Sequence, residues 1–186
     1  VVATDDAEIA AACRGLAVAV CMTRADHASG TDRLAEVAAA RGWADDAIVV
    51  NLQGDEPQAP PAGVRHVAEV LARSPTAVAA TLAVDIESAA QLFDPNVVKL
   101  VRDAAGNALY FSRAPIPFLR DRADQNLRNS RVRHHLGLYA YTRAALRQWV
   151  SLPVHDLERI ERLEQLRPLA AGMAMGGLRP AFAVYS

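Results

Sequence analysis

Ile48-Val49-Val50-Asn51-Leu52, followed at once by Gln53-Gly54-Asp55-Glu56-Pro57, is the stretch on which the fold reading turns. A short, nearly continuous apolar run bounded by turn residues marks a strand covered on both faces. Downstream, Pro60-Pro61 opens a helix in which Val64, Val67, Ala68 and Leu71 recur at i, i+3, i+4 and i+7. Proline suits that first turn, because its missing N–H is one the helix would leave unpaired anyway. Residues 77–84 are the next strand. Upstream, residues 18–22 repeat the buried-strand pattern, and Leu34, Val37 and Ala38 follow a helical period after the polar start Ser29-Gly30-Thr31-Asp32. Strands alternating with helices predict an α/β fold, with a mixed, mainly parallel sheet and helices on both faces.

The second half changes character. Residues 97–102 and 108–111 flank Asp103-Ala104-Ala105-Gly106-Asn107, a turn-rich connection that predicts a small β-hairpin. Pro115-Ile116-Pro117 interrupts regular structure. Residues 121–131 are polar, carry two asparagines and no apolar period, and read as a mobile surface loop. Residues 133–141 return to strand, 142–150 form a short helix, and 156–171 a longer one. No linker divides the chain, so residues 1–186 form a single domain. Val1-Val2-Ala3-Thr4-Asp5 reads as the tail of a strand already under way, and residues 181–186 are strand-like and stop without a cap. The chain therefore reads as a fragment.

Composition narrows the function classes. Of 186 residues 52% are apolar and 22% charged, which argues against disorder. Net charge is −1, giving no pull toward nucleic acid or an anionic membrane. Lys99 is the only lysine; with arginine so dominant, arginine alone marks nothing. Cys13 and Cys21 have no metal-ligand spacing and read as free thiols of a reducing cytosol. No apolar run reaches the length of a membrane span, and no signal peptide opens the chain, so the expectation is a soluble cytoplasmic protein.

Two polar loops follow predicted strands. In a parallel α/β sheet, ligands bind beyond the carboxyl ends of strands, where Asp55 sits, and Gly54 permits close backbone approach to a ligand. A carboxylate there suits Mg²⁺, which keeps positions open for water and phosphate oxygens. The plain alternative is a turn, for which Gly-Asp-Glu-Pro is equally apt. The second loop is Thr23-Arg24-Ala25-Asp26-His27-Ala28-Ser29-Gly30-Thr31-Asp32-Arg33. It precedes a helix whose free N–H groups, with Ser29, Gly30 and Thr31, suit a base or ribose. The plain alternative is an N-cap by Thr31 or Asp32, with His27 on a solvated loop.

Taken in order, several stretches resemble the 3-deoxy-manno-octulosonate (Kdo) cytidylyltransferase family, also called CMP-Kdo synthetases. They are the 21–33 loop, Val50-Asn51-Leu52-Gln53-Gly54-Asp55-Glu56-Pro57, Ala80-Thr81-Leu82-Ala83-Val84 and Asn96-Val97-Val98-Lys99-Leu100-Val101. Leu109-Tyr110-Phe111-Ser112-Arg113-Ala114, His135-Leu136-Gly137-Leu138-Tyr139-Ala140-Tyr141 and Leu163-Glu164-Gln165-Leu166-Arg167 continue the likeness. The resemblance implies a nucleotide-diphospho-sugar transferase-like fold. It also implies an enzyme that joins CTP to Kdo, releases pyrophosphate, and feeds lipopolysaccharide synthesis.

By the same resemblance, Asp55 is the catalytic Mg²⁺ ligand. Thr23, Arg24, Ser29, Gly30, Thr31, Gln53 and Gly54 serve the nucleotide, and Ser112, Arg113, His135, Tyr139, Glu161, Glu164 and Gln165 face the acid sugar. Glu161 and Gln165 would share one helical face as i, i+4 partners, although Glu158 and Arg162 would form an ordinary surface pair on the same helix. His134 would point away from His135, so only one of them would face the site. The family is homodimeric, and residues 97–141, with exposed Phe111, Ile116 and Phe118, are the expected dimerisation region. The family's opening strand with its triphosphate loop, and its closing acidic segment with a second metal-binding aspartate, have no counterpart here. The fragment alone is therefore expected to be inactive. Two rivals remain open: a cytidylyltransferase for a sialic-acid-like sugar, and an inactive remnant that binds only nucleotide or a partner.

Overall fold

The computed structural model describes residues 1–54, 56, 59–74 and 77–172, together with the backbone of strand 181–185. Asp55 lies outside the described residues.

Strand β1 (Val2–Thr4) pairs in parallel with β2 (Val20–Met22), linked by helix α1 (Ala7–Cys13), whose N-cap Asp6 accepts from Glu8 N and Ile9 N. Helix α2 (Gly30–Ala40) follows the polar loop, capped by Ser29, which accepts from Asp32 N. Strand β3 (Ile48–Asn51), helix α3 (Pro61–Arg73, entered through Pro60-Pro61) and strand β4 (Ala77–Asp85) give the expected strand–helix–strand unit. After the short helix α4 (Ala89–Phe93), strands β5 (Lys99–Arg102) and β6 (Ala108–Ser112) form the antiparallel hairpin. Its turn is closed by Asp103, which accepts from Ala105 N and Asn107 N, with Gly106 at φ +87°.

The long strand β7 (Val132–Thr142) organises the sheet. Its C-terminal half pairs with β3 on one edge and β4 on the other, since Ala140 is opposite both Val50 and Ala80. Its N-terminal half keeps β4 and takes β5 on the edge that β3 has left. All three partners run antiparallel to β7, and β4 pairs in parallel with β8 (Ala181–Tyr185). The fold is thus mixed α/β, but the mainly parallel sheet is not what forms. β3 and β4 do run the same way, as a strand–helix–strand crossover requires, yet β7 inserts between them and turns the pairings antiparallel.

Alternation along β7 sends Tyr139 and Tyr141 to one face and Leu138 and Ala140 to the other. Tyr139, Tyr141, Phe111, Leu100, Trp149 and Leu146 build the larger core, to which α2 and helix α6 (Arg143–Ser151) contribute. Val67 and Leu71 of α3 cover the opposite face. Helices therefore occupy both faces, as expected.

Three local expectations are revised. Phe111 is 0% exposed, because its place in the hairpin turns it into the core; Ile116 is half-buried, and Phe118 alone of the three stands out, at 87%. Residues 121–131 form a 3₁₀ turn (Arg122–Asp124) and helix α5 (Gln125–Arg131) rather than a loop, started by Asp121 Oδ1 accepting from Ala123 N. None of the residues in these two elements is buried, so no apolar period announced them. The expected 156–171 helix is two: α7 (Asp156–Glu161) and α8 (Leu166–Ala170), broken at Arg162, whose φ of +55° is left-handed.

Candidate active site

Where β3 ends at Asn51 and β5 begins at Lys99, the edge of β7 between them, Leu136 to Leu138, has no strand partner. A cleft of about 1110 Å³ opens there. Its floor is His134, His135, Leu136, Gly137 and Tyr139 of β7 with Asn51, Leu52, Gln53, Gly54 and Glu56. One wall is the N-terminus of β1 with Ser29, Gly30, Arg33 and Leu34; the other is Asn96, Val98, Arg113 and residues 162–165.

On the first wall, Ser29 and Gly30 stand at the open N-terminus of α2, an 11-residue helix whose first N–H groups favour anionic or polar ligands. Thr31 is buried, and its Oγ1 donates to Glu164 Oε1 at 2.7 Å, tying the two walls together. Thr23 and Arg24 stand behind the rim: Arg33 donates to Thr23 Oγ1, and the Arg24 side chain is exposed. His27 was expected on a solvated loop. It is instead tucked in, with its side chain 5% exposed and Nε2 bonded to Glu36, whose Oε2 also accepts from Arg24 N. The His27 hydrogen bond holds the Glu36 carboxyl below its ordinary range.

On the second wall, Arg113 bridges three segments. Its Nε donates to Glu161 O at 2.7 Å, its Nη1 to Pro95 O at 2.9 Å, and its Nη2 reaches Arg162 O at 3.4 Å. The bonds to Glu161 O and Arg162 O satisfy carbonyls freed where α7 ends, beside the left-handed Arg162. Glu161 turns inward: its carboxylate accepts from Ser112 Oγ at 2.6 Å and Arg113 N at 2.8 Å. Ser112 and Glu161 therefore spend their polar groups on each other, while Arg113, Glu164 and Gln165 reach the cleft. The break at Arg162 removes the shared helical face of Glu161 and Gln165. It also removes the Glu158–Arg162 pair, since Glu158 takes a two-pronged bond from buried Arg167 at 2.6 and 2.7 Å.

Burial sets the protonation of the floor. Tyr139 is 2% exposed, and its phenol is pushed well above the ordinary value by desolvation, then by Tyr141 and Glu164. Glu164 is pushed up by burial, against the pull of the Thr31 and Ser29 hydroxyls, and its Oε2 is buried without a hydrogen-bond partner among the described residues. His135 is driven down to about 3 by desolvation, with His134 adding to the shift, so its ring is neutral at physiological pH. Both histidines border the cleft, although strand alternation predicted one, because the unpaired edge beside them leaves either face of β7 open.

The cleft thus gathers Ser29, Gly30, Gln53, Gly54, Arg113, His135, Tyr139, Glu164 and Gln165 of the residues singled out from sequence. Asn96 and Arg162 were missed. Asn96 sits in a plain turn, and Arg162 reaches the cleft only because the helix breaks there. Among the described residues no three His, Cys, Asp or Glu side chains cluster to hold a metal, and no helix is long and apolar enough to cross a membrane.

A cytidylyltransferase family model matches residues 1–175. A 3-deoxy-manno-octulosonate cytidylyltransferase of Xanthomonas campestris pv. campestris (strain 8004) is 58% identical over 176 residues, covering 92% of this chain and 70% of that protein. The enzyme of the same name from Methylococcus capsulatus is 52% identical, with 92% and 68% covered. Among solved structures, CMP:2-keto-3-deoxy-manno-octonic acid synthetase complexed with CTP superposes with a TM-score of 0.81 at 39% identity, over 97% of this chain and 70% of that one.

Proposed function

Because the chain belongs to the 3-deoxy-manno-octulosonate cytidylyltransferase family, we propose that it is a single cytidylyltransferase domain whose cleft joins CTP to Kdo. The observation that carries this reading is that one cleft brings the α2 N-terminus and the Gln53-Gly54 turn opposite Arg113, His135, Tyr139, Glu164 and Gln165. The first set suits a nucleotide, with backbone N–H groups and small residues that allow close approach. The second suits a polyhydroxylated acid: guanidinium groups of Arg113 and Arg162 for its carboxylate, and Tyr139, Glu164 and Gln165 for hydroxyls. In the reaction the anomeric hydroxyl oxygen of Kdo attacks the α-phosphorus of CTP, the bond to the β-phosphate breaks, and pyrophosphate leaves. No covalent enzyme intermediate is needed, so the protein's part is positioning and charge stabilisation.

Magnesium fits this arrangement, since it binds one or two carboxylates and completes its shell with water and phosphate oxygens. Asp55, directly after lining residues Gln53 and Gly54, is the residue that would hold it. When bound, the ion would neutralise charge on the triphosphate. Thr23, Arg24 and Thr31 support the nucleotide wall from behind, and Ser112 and Glu161 support the sugar wall through Arg113. The product, CMP-Kdo, would serve lipopolysaccharide synthesis in the cytoplasm. A homodimer through the hairpin region is supported by the exposed apolar side chains of Leu109, Phe118 and Leu127.

The test is turnover by the protein carrying this chain with CTP, Mg²⁺ and either Kdo or N-acetylneuraminate, followed by pyrophosphate release. A site built to hydrogen-bond one sugar leaves buried groups unpaired with another, so discrimination of about 10⁴-fold for Kdo is expected. Preference for N-acetylneuraminate would overturn the substrate, and absence of CTP binding would overturn the reading altogether.

A further inference from the structure

Thr81 lies on β4, is 0% exposed, and faces the irregular stretch of β7. Between Thr81 and Leu82 the register jumps from Tyr139 to Leu136, so Gly137 and Leu138 have no opposite number on β4. Such a bulge strands backbone groups that a regular ladder would pair. The Thr81 hydroxyl takes up the slack: Oγ1 lies 2.9 Å from Leu138 O, 3.2 Å from Leu136 O and 2.9 Å from His135 Nε2.

One hydroxyl proton faces three atoms here. Carbonyl oxygens only accept, so the hydroxyl must donate toward Leu138 O and Leu136 O, and the contact left to its lone pair is one it accepts from His135 Nε2–H. Were Nε2 the acceptor instead, the hydroxyl's lone pairs would face two buried carbonyls at 2.9 and 3.2 Å. The ring itself is fixed between Phe111, edge-on at 4.9 Å, and Tyr139 at 5.2 Å.

We propose that Thr81 is a positioning residue that locks His135, a residue lining the cleft, as the neutral tautomer with its proton on Nε2, leaving Nδ1 as its uncharged acceptor. It follows, on the acid-sugar reading above, that His135 receives a hydrogen bond from a sugar hydroxyl. The sugar carboxylate is left to Arg113 and Arg162. The same hydroxyl holds open the bulge that places Gly137 against Gln53, whose Nε2 lies 3.6 Å from where a Cβ would stand.

Two measurements test this. In the unaltered protein, imidazole ¹⁵N shifts should show His135 protonated on Nε2 alone, without titrating between pH 5 and 8. A proton on Nδ1, or titration in that window, overturns the proposal whether or not any variant folds. Thr81→Val keeps the shape and removes the hydroxyl, so KM for Kdo should rise about tenfold with kcat and the KM for CTP nearly unchanged; Thr81→Ser should restore the parental value within about twofold. Equal loss toward both substrates, or no rescue by serine, means a purely structural threonine and also overturns it. The expected tautomer in a protein that does not turn over Kdo supports the lock and removes the acid-sugar reading instead.

Discussion

A buried neutral histidine makes a measurable demand on the folding equilibrium. Desolvation holds His135 at about 3, against 6.5 for an unhindered histidine. A base whose folded pKa is depressed contributes stability that is intact above the unfolded pKa and is lost as pH falls toward the folded one, because the unfolded chain then binds a proton the folded chain refuses. The window is therefore pH 6.5 down to about 3. At pH 7 the unfolded state gains only about 0.2 kcal/mol from this proton; at pH 5 it gains about 2 kcal/mol, while the folded state still binds almost none. Neighbours titrate too: His134 is pushed down by burial, and Glu164 is pushed up, which acts in the opposite sense. Comparing the parent with His135→Gln cancels those shared terms. Urea unfolding at both pH values should show the parent losing about 2 kcal/mol more than the variant between pH 7 and 5. Parallel losses, within about 0.5 kcal/mol, would mean that His135 is hydrated or charged in the folded protein, and the buried neutral ring would be wrong.

Two further outcomes are expected. Asp55→Asn should lower pyrophosphate release about 100-fold or more at saturating Mg²⁺ with an unchanged circular dichroism spectrum, since a weakened ion no longer offsets phosphoryl charge; a folded variant with near-parental turnover would remove Asp55 from metal binding. Glu158→Gln should destabilise the fold by about 3 kcal/mol in urea, because it leaves the Arg167 guanidinium, 7% exposed, without its carboxylate; the double change Glu158→Leu with Arg167→Met should recover most of that loss.

What the sequence disclosed and what it hid divide along one physical line. Strands β3 and β4, helices α2 and α3, and the β5–β6 hairpin were all legible, because each writes its own period or turn chemistry into a local window. The place of β7 was not. Its apolar alternation says that it is a strand, but nothing within its eleven residues says that it lies between β3 and β4. Helix α5 left no trace because it buries nothing, and His27 read as loop because the carboxylate that draws it inward, Glu36, is nine residues away. Of the site, the resemblance supplied residues that do converge, such as Gln53, His135, Tyr139 and Glu164, and it offered no way to see that Ser112 and Glu161 would turn to each other.

The features that escaped periodicity are also the ones that make the cleft. A regular β7 would continue its ladder through residues 136–138, and a regular helix over 156–171 would carry Arg162 along its own surface. The bulge at Gly137 and Leu138 interrupts the β4 side of β7 just where β3 and β5 leave the other edge uncovered, and the left-handed Arg162 splits the helix so that Glu164 and Gln165 face that open edge. Each irregularity is held by a side chain aimed at stranded carbonyls: the Thr81 hydroxyl on Leu136 and Leu138, and the Arg113 guanidinium on Glu161 and Arg162. Such compensation is what an irregular backbone needs in order to persist. Thr81 and Arg113 have thus different relations to the ligand but one structural task, and the loss of either should show first in the geometry of its neighbours, His135 for one and Glu164 with Gln165 for the other.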